Sequence, residues 1–98
     1  MTESRSHKTT ANRIAKKFNT DYNSGDGVDL KSKRATIEVE TPETVSDAPG
    51  QLRGHRGPAY IAGTNKEAVK KALEVTQATT IGVMDNQGRI VKKSTRKR

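Results

Sequence analysis

Apolar residues first recur at helical spacing at Ala11, Ile14, Ala15 and Phe18, with Arg13, Lys16 and Lys17 between them. That stripe predicts a helix from about Thr10 to Asn19, capped by Thr9 or Thr10. The following run, NTDYNSGDG, is dense in turn formers and predicts a break. Strict alternation then takes over. Between Ala35 and Thr41, residues Ala35, Ile37 and Val39 share one side of a strand and Thr36, Glu38 and Glu40 the other. A shorter strand over Gly27–Leu30 precedes it, and the basic reversal Lys31-Ser-Lys-Arg34 predicts an antiparallel hairpin.

Thr41-Pro-Glu-Thr is a helix-start pattern, with Thr41 as cap and proline at the first helical position. Val45, Ala48 and Leu52 extend a second helix, which Pro49-Gly50 should kink or interrupt. Pro58–Ala62 predicts a strand. Thr64-Asn-Lys-Glu67 reads as a capping box opening a helix through Ala68, Val69, Ala72, Leu73 and Val75 to about Thr76. Thr79–Met84 predicts another strand, Asp85–Gly88 a turn, and Arg89–Lys92 a last short strand. Strand, helix, strand implies a βαβ unit with parallel strands and a right-handed crossover. The class is therefore α/β: a mixed sheet, hairpin plus βαβ, flanked by helices in the order αββαβαββ. One domain over residues 9–93 is expected, with disordered basic tails at 1–8 and 94–98.

Composition narrows the classes. The chain has 98 residues, of which Leu, Ile, Val and Phe supply only 16, so its core must be thin and lean on alanine. A small core of this kind predicts a homodimer, in which a subunit interface adds burial. Cysteine is absent, which excludes disulfides, thiolate zinc sites and a thiol nucleophile. No apolar run approaches the roughly 20 residues of a membrane span, and MTESRSHKTT is no secretory signal. A cytoplasmic or nucleoid location is the expectation.

The formal charge of +8 is unevenly placed. Residues 1–17 carry Arg5, Lys8, Arg13, Lys16 and Lys17 against Glu3, while residues 89–98 carry Arg89, Lys92, Lys93, Arg96, Lys97 and Arg98 with no acid. Lys31, Lys33, Arg34 and Arg53 add bases within a slightly acidic body. Basic ends suit a polyanion, because neutralising phosphates releases counterions. Nucleic acid, DNA in particular, is the expected partner. The plain alternative is that these charges only keep the protein soluble; another is an accessory protein whose ends hold ribosomal RNA or an acidic protein. The scarcity of aromatic residues argues against base stacking on aromatic rings.

Catalytic patterns are few. Two histidines and no GxSxG elbow give no support to a Ser/His/Asp set, and no phosphate-binding loop occurs. Carboxylates stand out. With the reversal centred on Lys33-Arg34, Asp29 lies directly across from Glu38, and Glu40 points to the same side. Such a cluster suits Mg²⁺ or Mn²⁺. On alternation alone, Thr36, Glu38 and Glu40 are simply the solvated side of an amphipathic strand.

The sequence of helix, strand with Gly-Val-Asp29, strand Ile-Glu38-Val-Glu40, helix with Gln51-Leu52 and then βαβ resembles the PD-(D/E)xK nuclease superfamily. That superfamily includes restriction endonucleases and archaeal Holliday-junction resolvases. The resemblance covers about residues 9–93 and implies a minimal restriction-endonuclease-like fold. It also implies a metal-dependent DNA phosphodiesterase, in which Asp29 and Glu38 hold Mg²⁺ and Gln51 helps orient the site. Glu40 occupies the position of the family's lysine, a reversal of charge. Asn12 and Arg13 stand where many members carry an acid on the first helix. Both departures favour the alternative of a non-catalytic DNA- or RNA-binding module on the same fold.

Overall fold

A computed structural model of the chain describes residues 5–18, 20, 30–31, 35–52 and 57–95. Helix α1 (Arg5–Lys17) is followed by β1 (Leu30–Lys31) and β2 (Thr36–Glu40). A 3₁₀ turn at Val45–Asp47 leads into α2 (Ala48–Leu52), and β3 (Ala59–Gly63), α3 (Lys66–Val75), β4 (Gly82–Met84) and β5 (Ile90–Lys92) complete the chain. The strands form one sheet in the order β1-β2-β3-β4-β5. β2, β3 and β4 run parallel, whereas β1 and β5 lie antiparallel on the two edges. The architecture is α/β, a five-stranded mixed sheet with helices on both faces.

The period-2 pattern of β2 decides how the layers divide. Ala35, Ile37 and Val39 pack with Tyr60, Ala62 and Met84 against Ala11, Ile14 and Ala15 of α1, with Phe18 at the margin. The opposite side, built on Ala59, Ile61, Ile81 and Val83, is covered by Val45, Ala48 and Leu52 and by Ala68 and Ala72 of α3. Each layer thus uses alanine where helix and sheet approach closely. Ile14, Leu30, Ile37, Leu52 and Ile61 are fully buried, and each such side chain contributes about 1.5–3 kcal/mol of transfer free energy.

Glycine makes the tightest approaches possible. A Cβ at Gly63 would lie 2.6 Å from the Val69 amide nitrogen, so α3 can sit on β3 only because that side chain is missing. At Gly82 a Cβ would meet the Lys92 carbonyl oxygen and Tyr60 Cε1, each at 2.5 Å. The close passage there coincides with an irregularity in the β4–β5 ladder between Val83 and Met84.

Several boundaries differ from the sequence expectation for identifiable reasons. α1 begins at Arg5 instead of Thr10, so Thr9 and Thr10 lie inside it and cap nothing. The proline of Thr41-Pro-Glu-Thr starts a turn, not a helix. There the Thr44 and Val45 amides both donate to the Thr41 carbonyl, at 3.0 and 3.1 Å. Pro49 is the second residue of α2 and does not kink it, because amides in a first turn have no intrahelical acceptor to lose. The cap of α3 is Asn65, one residue after the expected Thr64: its Oδ1 accepts from the Ala68 amide at 2.8 Å. The strand expected from Thr79 is only Gly82–Met84. Before it, Ala78 takes a positive φ of 60°, and the Thr79 hydroxyl donates to the Thr76 carbonyl at 2.6 Å, so the chain is still closing α3. Among the described residues no helix is long and apolar enough to cross a membrane.

Candidate nucleic-acid interface and carboxylate pair

α1 carries five bases and no acid. Burial of Ala11, Ile14 and Ala15 turns Arg5, Lys8, Arg13, Lys16 and Lys17 outward, where all five are exposed. Lys16 and Lys17 occupy the last turn, where cations complement the helix dipole. Two of the bases also fasten the helix. Arg13 Nη1 donates to the Asn86 carbonyl at 2.9 Å and Lys17 Nζ to the Gly88 carbonyl at 2.8 Å, both in the turn between β4 and β5. The Lys17 ammonium also stands 5.9 Å from the centroid of the Phe18 ring, within cation–π range.

That turn is built to present carbonyls. Asp85 Oδ1 accepts from the amides of Gln87 and Arg89 at 2.8 and 3.0 Å, and Gly88 supplies the positive φ of 76° that the reversal needs. Arg89, exposed, follows directly. The contacts therefore tie α1 to carbonyls 71 to 73 positions later, in the turn that Arg89 follows. A guanidinium has five donors and an ammonium three, so each keeps donors for an outside acceptor.

The other expected nucleic-acid contacts are distributed differently. Lys31, in edge strand β1, and Lys93 are exposed. Lys92 is half-buried, and its Nζ donates to the Thr76 carbonyl at 2.6 Å, where it closes the C-terminus of α3. Beyond β5 the chain stays fastened: Ser94 Oγ donates to the Thr80 carbonyl at 2.8 Å and accepts from the Ala59 amide at 3.2 Å. Lys33, Arg34, Arg53 and Arg96 lie outside the described residues.

Glu38 and Glu40 do share one side of β2, but that side is not solvated. They are 4% and 5% exposed, and Thr36 is 3% exposed. The reading as a wetted strand face is overturned because β2 is an inner strand with helices on both sides. In register, Glu38 lies beside Ile61 and Glu40 beside Gly63. Both thus lie on the side of the sheet covered by Val45, Ala48 and Leu52. Both residues have interaction partners in the folded chain, as buried polar groups require. Glu40 ends β2, and its carbonyl accepts from the Thr64 amide at 3.0 Å.

Asp29 lies outside the described residues. The ladder that follows it pairs Leu30 with Ile37 and Lys31 with Thr36, the register assumed in placing Asp29 opposite Glu38. Gln51 is exposed on α2, whose buried residues Ala48 and Leu52 face the sheet. Among the described residues no hydrogen bond links Gln51 to either glutamate, and no group of three or more His, Asp or Glu side chains gathers as metal ligands.

Sequence reasoning missed the role of the β4–β5 turn as the dock for α1. The available signal was the Asp-Asn-Gln-Gly run, which presents several carbonyls in one place. Neither family models, curated proteins nor solved structures give a match to this chain.

Proposed function

We propose that this chain binds nucleic acid, DNA foremost, through the exposed cationic face of α1. The observation that carries this reading is the placement of Arg5, Lys8, Arg13, Lys16 and Lys17 on the outside of a helix whose other side is core. Anchorage of Arg13 and Lys17 on the β4–β5 turn holds the helix end rigidly and sets Arg89 beside it. A fixed array of bases without interleaved acids suits phosphate oxygens, and contacts of that kind position a protein on nucleic acid without carrying sequence information. Titration of labelled duplex, branched and single-stranded DNA, with wild type and a Lys8→Ala/Lys16→Ala variant, tests the reading. A clear weakening on all three substrates supports it, and equal affinity in the variant contradicts it.

A second reading, hydrolysis of a phosphodiester on a restriction-endonuclease-like fold, is favoured by one observation. Glu38 is the central residue and Glu40 the last of parallel strand β2, whose carboxyl end is the one at which open α/β sheets bind ligands. Hard carboxylate oxygens suit Mg²⁺, but the described residues contribute two acids and no third, so the site rests on Asp29. Incubation of the three DNA substrates with Mg²⁺ or Mn²⁺ separates the readings. Cleavage abolished by Asp29→Ala supports an enzyme. Intact binding without cleavage leaves a non-catalytic module.

A further inference from the structure

On the side of the sheet opposite α1, an open groove of about 430 Å³ runs between α3 and the start of the β4–β5 turn. Its volume falls within the range of small-molecule sites, about 300–1,000 Å³. Val69 and Leu73, one helical turn apart and half-buried, form an apolar floor. Lys66 and Lys70, also one turn apart, stand along the helix side, and Asp85 and Asn86 along the turn side.

The polar atoms of the lining are unevenly used. Asn65 Oδ1 is spent on the Ala68 amide and Asn86 Nδ2 on the Thr64 carbonyl. Asn65 Nδ2 and Asn86 Oδ1 have no partner among the described residues, and neither have the ammonium groups of Lys66 and Lys70. Asp85 uses Oδ1 for two backbone amides and keeps Oδ2. The groove thus offers a flat apolar surface, a carboxylate and an amide oxygen as acceptors, an amide donor, and two cations next to the first turn of α3. The leading amides of that turn have no acceptor within the helix.

One ligand chemistry meets the apolar floor, the acceptors and the two cations together. An amino-bearing heterocycle lays its face on Val69 and Leu73 and donates to Asp85 or Asn86, while an attached phosphate is held by Lys66 and Lys70. We propose that this groove is a binding site for a nucleoside 5′-phosphate unit carrying an exocyclic amine. An inorganic anion would leave the apolar floor unused, and a neutral nucleoside would leave the two cations unused. None of the residues concerned belongs to α1, so the groove can fail while α1 binds DNA, and the reverse.

Nitrogen-15 labelled protein, titrated with AMP, adenosine, inorganic phosphate and N-acetylphenylalanine, tests the site by amide chemical shifts. The expected result is saturable movement of the Asn65, Val69, Leu73 and Asn86 amides with AMP. Adenosine and phosphate should bind at least about tenfold more weakly, the equivalent of one lost charged contact. Lys66→Ala/Lys70→Ala, which alters only exposed side chains, should weaken AMP to the level of adenosine. A duplex with one unpaired adenosine, compared with the fully paired duplex, identifies the source. Shifts at the same four amides specific to the unpaired base indicate a strand-borne nucleotide; their absence alongside AMP binding indicates a free one. No shift with AMP overturns the proposal, as does an equal response to phosphate or N-acetylphenylalanine, or AMP affinity unchanged in the lysine variant.

Discussion

Lys17 Nζ donates to the carbonyl of Gly88 at 2.8 Å, joining the last turn of the first helix to a turn 71 positions later. The bond does two things at once. It locks α1 onto the edge of the sheet, and it puts a cation from one end of the chain beside Arg89 from the other. Gly88 has no Cβ to obstruct the approach; one would lie 3.0 Å from Lys17 Cδ.

Lys17→Met keeps most of the apolar stem and removes the donor. The expected cost is about 1.5–3 kcal/mol for a hydrogen bond to a charged group, less whatever water recovers at this partly exposed site. Thermal unfolding should show a fall in Tm of several degrees. Gly88→Ala should cost as much or more, because it forces a side chain into a positive φ of 76° as well as into Lys17.

Thr64 and Asn65 separate a sequence pattern from the physical cap. Asn65→Ala removes the side-chain acceptor for the Ala68 amide and should cost about 1 kcal/mol. Thr64 is 6% exposed, and its hydroxyl, buried, has no hydrogen-bond partner. Thr64→Val should therefore leave stability unchanged or raise it by up to about 1 kcal/mol. Denaturant unfolding of the two variants checks the pair. The reverse ranking would restore Thr64 as the cap.

Gly63→Ala should be among the most damaging single substitutions in the chain. Its Cβ meets main-chain atoms of α3, 2.6 Å from the Val69 nitrogen and 3.0 Å from the Ala68 carbonyl carbon, which cannot rotate away. Overpacking of this kind costs about 1–3 kcal/mol. Guanidinium denaturation should show that loss without a change in slope.

Glu43 has a carboxyl held below its ordinary pKa of 4.5, first by a hydrogen bond from its own backbone, then by the Thr41 hydroxyl, with a smaller contribution from Lys71. A depressed folded-state pKa means stability present above the unfolded value and lost as the pH falls through the folded one. Carboxyl-detected NMR titration should place Glu43 below the value of a free glutamate. In Glu43→Gln the fall of stability with acidification between pH 5 and the folded pKa should be shallower than in wild type. A titration at or above 4.5 contradicts the assignment.

Much of the fold was legible because burial leaves a period in the sequence. The stripe Ala11, Ile14, Ala15 predicts the buried side of α1, and the alternation Ala35, Ile37, Val39 predicts which side of β2 meets it. Local chemistry was harder to read. Thr64 and Asn65 are both good caps by residue type, and the folded chain uses Asn65, whose Oδ1 takes the Ala68 amide. The polar side of β2 was ambiguous for a different reason. Thr36, Glu38 and Glu40 alternate as a wetted strand would, yet they are buried because α2 and its preceding 3₁₀ turn close over them. Long-range bonds such as Lys17 to Gly88 leave no periodic trace at all.

The central claim is that the outward bases of α1 hold nucleic-acid phosphates. The most direct measurement is the affinity for a short DNA duplex, by fluorescence anisotropy, across a salt series from about 50 to 200 mM. For wild type, log K should fall linearly with log salt at a slope of about −3 or steeper, the slope of at least three neutralised phosphates. Lys8→Ala/Lys16→Ala changes two exposed residues that make no hydrogen bond or ion pair among the described residues. It should reduce that slope by about 2, one for each phosphate contact removed, while its melting temperature stays at the wild-type value. A flat response in wild type, or a slope untouched by the double substitution, would contradict the account.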